Sequence, residues 1–272
     1  RNSEKRRYYK GSGRMSDDIL VKDIMSRPVT ISKSAPITEA LDRMLDEGID
    51  PLIVVNHNTV VGTVSRETVA EKLGTKRNSS ISPTSIHVAN TVEEDFTTVY
   101  PDQDLDVVIP LLQTYKLVVV YDEDHRLVGQ VTAGDILRVM RPGGVMAEVM
   151  EPACTIDVDE RVVHWRRRMI DDKLHRCVVT ENDKVVGIVT ETDVAVAMRR
   201  FREMVEDRHQ DHRIRNLLVR DIMTSPVLSI DASAGIDEVV DLMLSKGISS
   251  IPVTSNGKIA GLVTRASLLK AL

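Results

Sequence analysis

An α/β (α+β) protein made from one β-α-β-β-α unit written four times is predicted by three observations. A short phrase recurs at Gly62-Thr63-Val64-Ser65, Gly129-Gln130-Val131-Thr132, Gly187-Ile188-Val189-Thr190 and Gly261-Leu262-Val263-Thr264. An apolar residue of an earlier β-like run, Ile31, Val99, Ile156 or Ile230, stands 30 or 31 residues before each of those glycines. Three units open alike, on Asp23-Ile24-Met25, Glu148-Val149-Met150 and Asp221-Ile222-Met223, and the second unit lacks that opening. Self-similarity of this kind marks repeat architectures. The glycines lie 67, 58 and 74 residues apart, so spacers of different length separate the units and a uniform solenoid is excluded.

Unit one shows the element order. Val29 to Ile31 is a short β-branched run, and Ala35-Pro36 opens a helical pattern with Ile37, Leu41, Met44 and Leu45 on one face. Gly48 ends that helix. Leu52 to Val55 is a wholly apolar strand, His57-Asn58 a turn, and Val60 to Val64 a strand leading into a helix over Arg66 to Leu73. Unit four follows the same order, with Ile236, Val240, Met243 and Leu244 on its helix, Ile251 to Thr254 as a strand and Asn256-Gly257 as a hairpin turn. Apolar strands without alternation imply small sheets covered on both faces.

The length of 272 residues suits two domains, and a hydrophobic content of 42% is enough to fill their cores. Aromatic residues are only 3%, so those cores must be aliphatic. No apolar stretch approaches the roughly 18 residues of a membrane helix, and no signal-peptide pattern opens the chain, so no membrane partner and a cytoplasmic location are expected. Cys154 and Cys177 fall in the strand region of unit three and read as two reduced core thiols. With no His or Cys at zinc-ligand spacing beside them, no metal site is expected.

The chemistry gathers where the last strand of a unit enters its second helix. Thr132-Ala133-Gly134-Asp135 and Thr190-Glu191-Thr192-Asp193 each place a hydroxyl at the helix start and a carboxylate three residues on. Two readings stand side by side. Ser/Thr-x-x-acid is the capping box of an ordinary soluble helix. The same groups also suit a nucleotide, with phosphate at the unpaired N–H groups beside the Thr hydroxyl and ribose hydroxyls on the Asp.

The DIM-like openings, the turn before the last strand and the Gly-x-x-Ser/Thr phrase together make the chain resemble the CBS-domain family over roughly residues 19 to 272. The resemblance is to stand-alone archaeal chains of four repeats. It implies two tandem Bateman modules, each a pseudo-twofold pair. Module one covers 19–140 with repeats 19–74 and 86–140, and module two covers 145–272 with repeats 145–201 and 217–272. It further implies a non-catalytic regulatory protein with clefts for AMP, ADP or ATP and an unidentified protein target. In such a family Thr132, Asp135, Thr190 and Asp193 are expected to hold phosphate and ribose, with Thr98 and Thr155 of the first strands lining adenine. A middle-strand Pro usual in the family is matched only by Pro252, with Val120 and Val178 in its place elsewhere.

Units one and four depart from the pattern. They read Ser65-Arg66-Glu67-Thr68 and Thr264-Arg265-Ala266-Ser267, so each pair holds one carboxylate-bearing unit and one without. Both place an Arg directly after the hydroxyl residue. Arg66 and Arg265 are expected to reach across the pseudo-twofold axis to phosphates on the partner repeat of their own pair, or else to be solvated surface charges.

Enzyme motifs are missing. Gly11-Ser12-Gly13 lacks the strand and the further glycine of a dinucleotide loop, and nothing matches a P-loop, nucleophile elbow or HExxH helix. His164, His175, His209 and His212 have no catalytic partner in the sequence.

Residues 1–18 read as a basic tail, and its first fourteen residues carry a net charge of +5. Lys5, Arg6, Arg7, Lys10 and Arg14 with the stackable Tyr8 and Tyr9 supply a second reading, contact with rRNA or a ribosome as in archaeal dormancy factors of similar architecture. Disorder or linker sequence is the alternative for that tail. Trp165 stands on the first helix of unit three, where it either packs in a core or meets another module, in a single-chain disc or a dimer.

Overall fold

The computed structural model describes residues 8–9, 19–74, 82–204 and 215–272. Unit one runs from α1 (Val21–Ile24) through β2 (Thr30–Ser32), α2 (Ile37–Asp46), β3 (Leu52–Asn56) and β4 (Thr59–Val64) to α3 (Arg66–Gly74), after a two-residue β1 (Tyr8–Tyr9). Unit two comprises β5 (Thr97–Val99), α4 (Leu105–Thr114), β6 (Leu117–Tyr121), β7 (Leu127–Thr132) and α5 (Ala133–Val139), and ends on β8 (Met140–Arg141). Unit three holds α6 (Met146–Val149), β9 (Thr155–Asp157), α7 (Val162–Asp171), β10 (Arg176–Glu181), β11 (Lys184–Thr190) and α8 (Glu191–Met204). Unit four holds β12 (Ile230–Asp231), α9 (Ile236–Ser245), β13 (Ser250–Ser255), β14 (Lys258–Thr264) and α10 (Arg265–Lys270).

Each unit makes its own three-stranded sheet, with the middle strand parallel to the first and antiparallel to the last. The hairpins turn on residues that tolerate positive φ, His57-Asn58, Asn182-Asp183 and Asn256-Gly257, which matches the twist of the flanking strands. The first helices bury one stripe: Ile37, Ala40, Leu41 and Met44 in α2, and Ile236, Val239, Val240 and Met243 in α9. Gly48 and Gly247, both at positive φ, close those two helices.

Middle-strand residues alternate between two different cores. Ile53 meets Leu117 and Val119 of unit two, whereas its neighbours Leu52 and Val54 join the helices. In the second pair, Val178 and Ile188 meet Leu262. The helical cores then cross between pairs. Leu41, Met44 and Leu73 of unit one pack with Trp165 and Met198 of unit three, and Val108 and Leu137 of unit two pack with Val240 and Leu268 of unit four. Units one and two, and three and four, therefore meet through sheets, while one meets three and two meets four through helices. This closes a ring. Trp165 is fully buried in that shared core, so core packing and the contact between pairs are the same role.

Paired units exchange their openings. The segment leading unit one lies on unit two, where Ser26 N donates to Gln130 O at 2.9 Å, and Glu93 of unit two returns the contact through Thr63 N at 2.9 Å. Units three and four do the same at Glu151–Leu262 and Thr224–Ile188. The recurring glycine receives the opening. A Cβ on Gly129 would stand 2.7 Å from Met25 Sδ, one on Gly187 2.7 Å from Met223 Sδ and one on Gly261 2.9 Å from Met150 Sδ. Unit two, which has no such Met, presents Val92 and the Glu93 backbone to Gly62 instead.

Cys154 and Cys177 form a disulfide with Cα atoms 4.7 Å apart, which corrects the expectation of two reduced thiols. The parallel pairing that sets Thr155 opposite Val178 also sets the residues just before them side by side. No helix among the described residues is long and apolar enough to cross a membrane. Tyr8 and Tyr9 pair in antiparallel register with Arg141 and Met140, beside the connector between the two pairs. Lys5, Arg6, Arg7, Lys10 and Arg14 lie outside the described residues, as do His209 and His212.

Candidate functional site

Four units deliver the same local structure to the inside of the ring. The last strand ends on a hydroxyl residue, or in unit one directly before Ser65, and the backbone N–H of that residue is capped by the side chain three positions on. Thr132 N and Thr132 Oγ1 both donate to Asp135 Oδ2 at 2.8 Å. Thr190 N and Thr190 Oγ1 donate to Asp193 Oδ2 at 2.8 Å in the same way. In the other two units a hydroxyl does this work, since Ser65 N donates to Thr68 Oγ1 at 3.1 Å and Thr264 N to Ser267 Oγ at 3.0 Å. Capping is thus common to all four helices, and only two spend a carboxylate on it.

The two carboxylates differ in burial. Asp135 is 4% exposed, and its Oδ1 accepts from Arg138 Nη1 at 2.6 Å. Asp193 is half-buried, and its Oδ1 accepts from the Thr224 hydroxyl of unit four at 3.2 Å. Burial pushes the Asp193 carboxyl above its ordinary range, against the lowering effect of the Thr190 and Thr224 bonds. In each case Oδ2 is committed to the cap and Oδ1 faces a side chain that can turn away.

Arg66 and Arg265 do not reach the partner repeat of their own pair. Arg66 Nη1 donates to the Thr192 hydroxyl of unit three at 3.5 Å, and its Nη2 donates to Met44 O at 2.6 Å. Arg265 Nη1 would stand 3.1 Å from a Cβ on Gly134 of unit two. The reason is the packing of the second helices. Each Arg opens a second helix, and these helices face one another across the contact between pairs, so each guanidinium meets the carboxylate-bearing unit of the opposite pair. Neither is a solvated surface charge: both Nε atoms are buried, with no hydrogen-bond partner among the described residues. Burial lowers the pKa of Arg265, with Arg138 adding to that effect and Asp135 opposing it.

A charged group at the ring centre escaped the sequence reading. Glu67 of unit one accepts from Lys116 of unit two at 3.3 Å and lies 3.2 Å from His175 Nδ1 of unit three. Beside them Glu191 is 5% exposed, and its Oε2 has no hydrogen-bond partner among the described residues. Burial raises the Glu191 pKa, while Arg176 and Lys116 pull it down and Asp50 pushes it up. A register signal was available for them. Asp50, Lys116 and His175 fall just before the middle strand of their units, Arg176 opens that strand in unit three, and Glu191 fills the position of Arg66 and Arg265.

Thr98 and Thr155 lie on the first strands, in β5 and β9, and both are exposed. A cavity of about 140 Å³ opens at unit four, lined by Glu148, Met150, Glu151, Ser267 and Lys270. It lies between one unit's opening and its partner's second helix, and the Lys270–Glu151 ion pair at 2.8 Å spans it.

Residues 21–75, 88–142, 146–200 and 219–272 each match the CBS domain family. The chain is a CBS-domain protein. This CBS chain is 24% identical over 270 residues to the uncharacterized protein MJ1404 of Methanocaldococcus jannaschii, spanning 61% of that protein's length. It is also 24% identical over 265 residues to MJ1225 of the same organism, spanning 94% of it. The crystal structure of MJ1225, described as a proposed archaeal homolog of g-AMPK, superposes with a TM-score of 0.76 at 22% identity, covering 93% of this chain and 99% of that one. An uncharacterized conserved protein from Pyrococcus horikoshii gives a TM-score of 0.59 at 23% identity, with 93% and 99% covered. These structures share the fold of the CBS pairs described above.

Proposed function

We propose that this chain is a non-catalytic regulatory protein that binds adenine nucleotides, AMP, ADP or ATP, at the carboxylate-bearing CBS units two and three. One observation carries the reading. A hydroxyl caps the second helix at Thr68 and Ser267, so Asp135 and Asp193 are not needed for that purpose. Burying an ionised carboxylate costs free energy unless something uses it. Neighbouring ribose hydroxyls are such a use, because Asp Oδ1 can accept from them once Arg138 or Thr224 turns aside. Thr132 and Thr190 then serve the phosphate side, and Thr98 and Thr155 border the adenine on the exposed first strands.

The crossed arginines turn occupancy into geometry. A nucleotide on unit three would be held by module two and touched by Arg66 of module one, and a nucleotide on unit two would meet Arg265 of module two. Ligand binding would then favour ring geometries in which both modules close on it, by as much as its affinity differs between states.

The test is thermal unfolding with AMP, ADP and ATP. A ligand at 100 times its dissociation constant stabilises by about 2.7 kcal/mol. Asp135→Ser and Asp193→Thr copy the caps of units four and one, so each removes an acceptor while keeping a helix cap. Each variant is expected to lose one site's binding, and the double variant all of it. If no nucleotide stabilises the protein, or the double variant binds as the parent does, the reading falls.

A further inference from the structure

Unit three holds both cysteines of the chain. Cys154, directly before β9, and Cys177, the second residue of β10, are joined because the pairing of Thr155 with Val178 brings them side by side. The matching positions are Val29 and Leu52 in unit one, Thr97 and Val118 in unit two, and Leu228 and Ile251 in unit four, so the fold packs there without sulfur. The two sulfurs stand in different surroundings. Cys177 is fully buried in the aliphatic core that units one and three share. Cys154 is half-buried, and Arg168 of α7 sets its Nη2 3.4 Å from Cys154 Sγ. Asp172 stands 3.9 Å from Arg168 Nε, so that guanidinium is only loosely paired elsewhere. Arg43 holds the same place on α2 and donates to the Thr30 carbonyl instead, so an arginine at sulfur is not a requirement of the fold.

We propose that Cys154–Cys177 is a reversible thiol–disulfide site that exchanges with small thiols and disulfides, Cys154 as the exchanging cysteine and Cys177 as the resolving one. Exchange proceeds by attack of a thiolate on a disulfide sulfur, so access and charge decide which sulfur takes part. Reduction by a dithiol begins at the reachable sulfur. A thiolate of the reductant bonds to Cys154 Sγ, the S–S bond breaks, and Cys177 leaves with the electron pair and takes up a proton. The reductant's second thiolate then attacks its own sulfur in that mixed disulfide and expels Cys154. The reductant ends as a cyclic disulfide, and the protein has gained two electrons. Arg168 stands ready for the expelled sulfur, since a neighbouring guanidinium favours thiolate over thiol. Reoxidation by a small disulfide runs backwards: the Cys154 thiolate attacks it and releases one thiolate, then Cys177 loses its proton, attacks Cys154 Sγ and releases the other. The crosslink also bears on the ring. Cys154 ends the opening segment that lies on unit four, where Glu151 N donates to Leu262 O and Leu262 N to Glu151 O, each at 2.9 Å. The bond ties that segment to the core shared with unit one, and reduction releases the tie at this opening alone.

The full chain is treated with dithiothreitol in native buffer, and free thiols are alkylated with iodoacetamide and located by mass spectrometry. Both thiols are expected, with Cys154 alkylated first and Cys177 only after unfolding. A bond that dithiothreitol opens only in denaturant overturns the proposal and leaves a purely structural crosslink. Oxidised glutathione then assigns the roles. Cys177→Ser should capture glutathione at Cys154, and Cys154→Ser should capture none at Cys177; equal capture refutes the division between them. The alkylation order in the parent decides the same point if a serine variant does not fold. In Cys177→Ser, adding Arg168→Gln should slow alkylation of Cys154 about tenfold at neutral pH, and an unchanged rate removes Arg168 from the site. Reduction should also speed hydrogen exchange at the Glu151 and Leu262 amides and leave the matching Ser26 and Gln130 amides of the first pair as they were. Faster exchange at both contacts, or at neither, denies the crosslink its hold on that opening.

Discussion

Gly62 lies against the backbone carbonyl of Glu93, so closely that a Cβ at position 62 would overlap the oxygen. The contact is pinned on both sides, with Thr63 N donating to Glu93 O at 2.9 Å and Glu93 N to Thr63 O at 2.8 Å. Gly62 also holds a φ of +149°, where side chains are strained. Gly62→Ala must therefore push apart two backbone segments, at a cost of about 2–4 kcal/mol. Gly129→Ala meets only the Met25 side chain, which can swing away, and should cost about 1–2 kcal/mol. Urea denaturation of the two variants gives the comparison. Equal costs would mean that the exchanged opening of unit two is not rigidly seated.

Arg66 crosses from module one to unit three, so its removal should be felt in the other module. Arg66→Ala is expected to weaken AMP binding about tenfold in the protein that retains only the unit-three site, since a charge-assisted phosphate bond is lost. The protein that retains only the unit-two site should bind as before. Calorimetry on the two single-site backgrounds reads this directly. The reverse pattern would restore the arrangement within one pair that the sequence suggested.

The Cys154–Cys177 disulfide closes a loop of 23 residues in unit three. Chain-entropy arguments assign such a loop about 3 kcal/mol of stabilisation. A dithiol reductant should lower the unfolding midpoint of the parent by that free energy and leave Cys154→Ala/Cys177→Ala unmoved. A parent midpoint indifferent to reductant would show that the crosslink adds nothing to stability.

The sequence carried the unit well because each element there is decided locally. Apolar runs, turn residues at positive φ and helix-ending glycines at 48 and 247 all agree with the final sheet and helices. The recurring glycine was legible as a repeat mark, and its reason was not. That reason is a Met or backbone segment arriving from the partner unit, which no local pattern reveals. The same limit explains Arg66 and Arg265. Their register at the helix start could be read, but which neighbour lies beyond depends on the crossed packing of second helices. The Cys pair is not legible along the chain because its closeness comes from strand register rather than spacing. Glu191 reads in the sequence as one letter of a capping box, and only its burial sets it apart.

Glu67 joins three units at the ring centre, and its titration tests whether that junction holds the ring. Pairing with His175, with Lys116 assisting against the cost of burial, pulls the Glu67 carboxyl from 4.5 down to about 2. A group depressed in the folded state stabilises while it is charged. Its contribution is therefore complete above about pH 4.5 and fades as pH falls toward 2. The side chain is 40% exposed, so solvent screening holds the contribution to about 1 kcal/mol. Carboxyls raised by burial, that of the buried Glu191 and that of the half-buried Asp193, work in the opposite sense, because acid relieves the cost of their charge. Comparison with Glu67→Gln removes that background. The variant should be less stable than the parent near neutral pH, and the gap should narrow as acid is added and disappear only as the pH falls through about 2. Urea midpoints measured from pH 7 downward would follow it. A gap that stays constant through the acid range would assign the loss to packing at position 67 rather than to its charge.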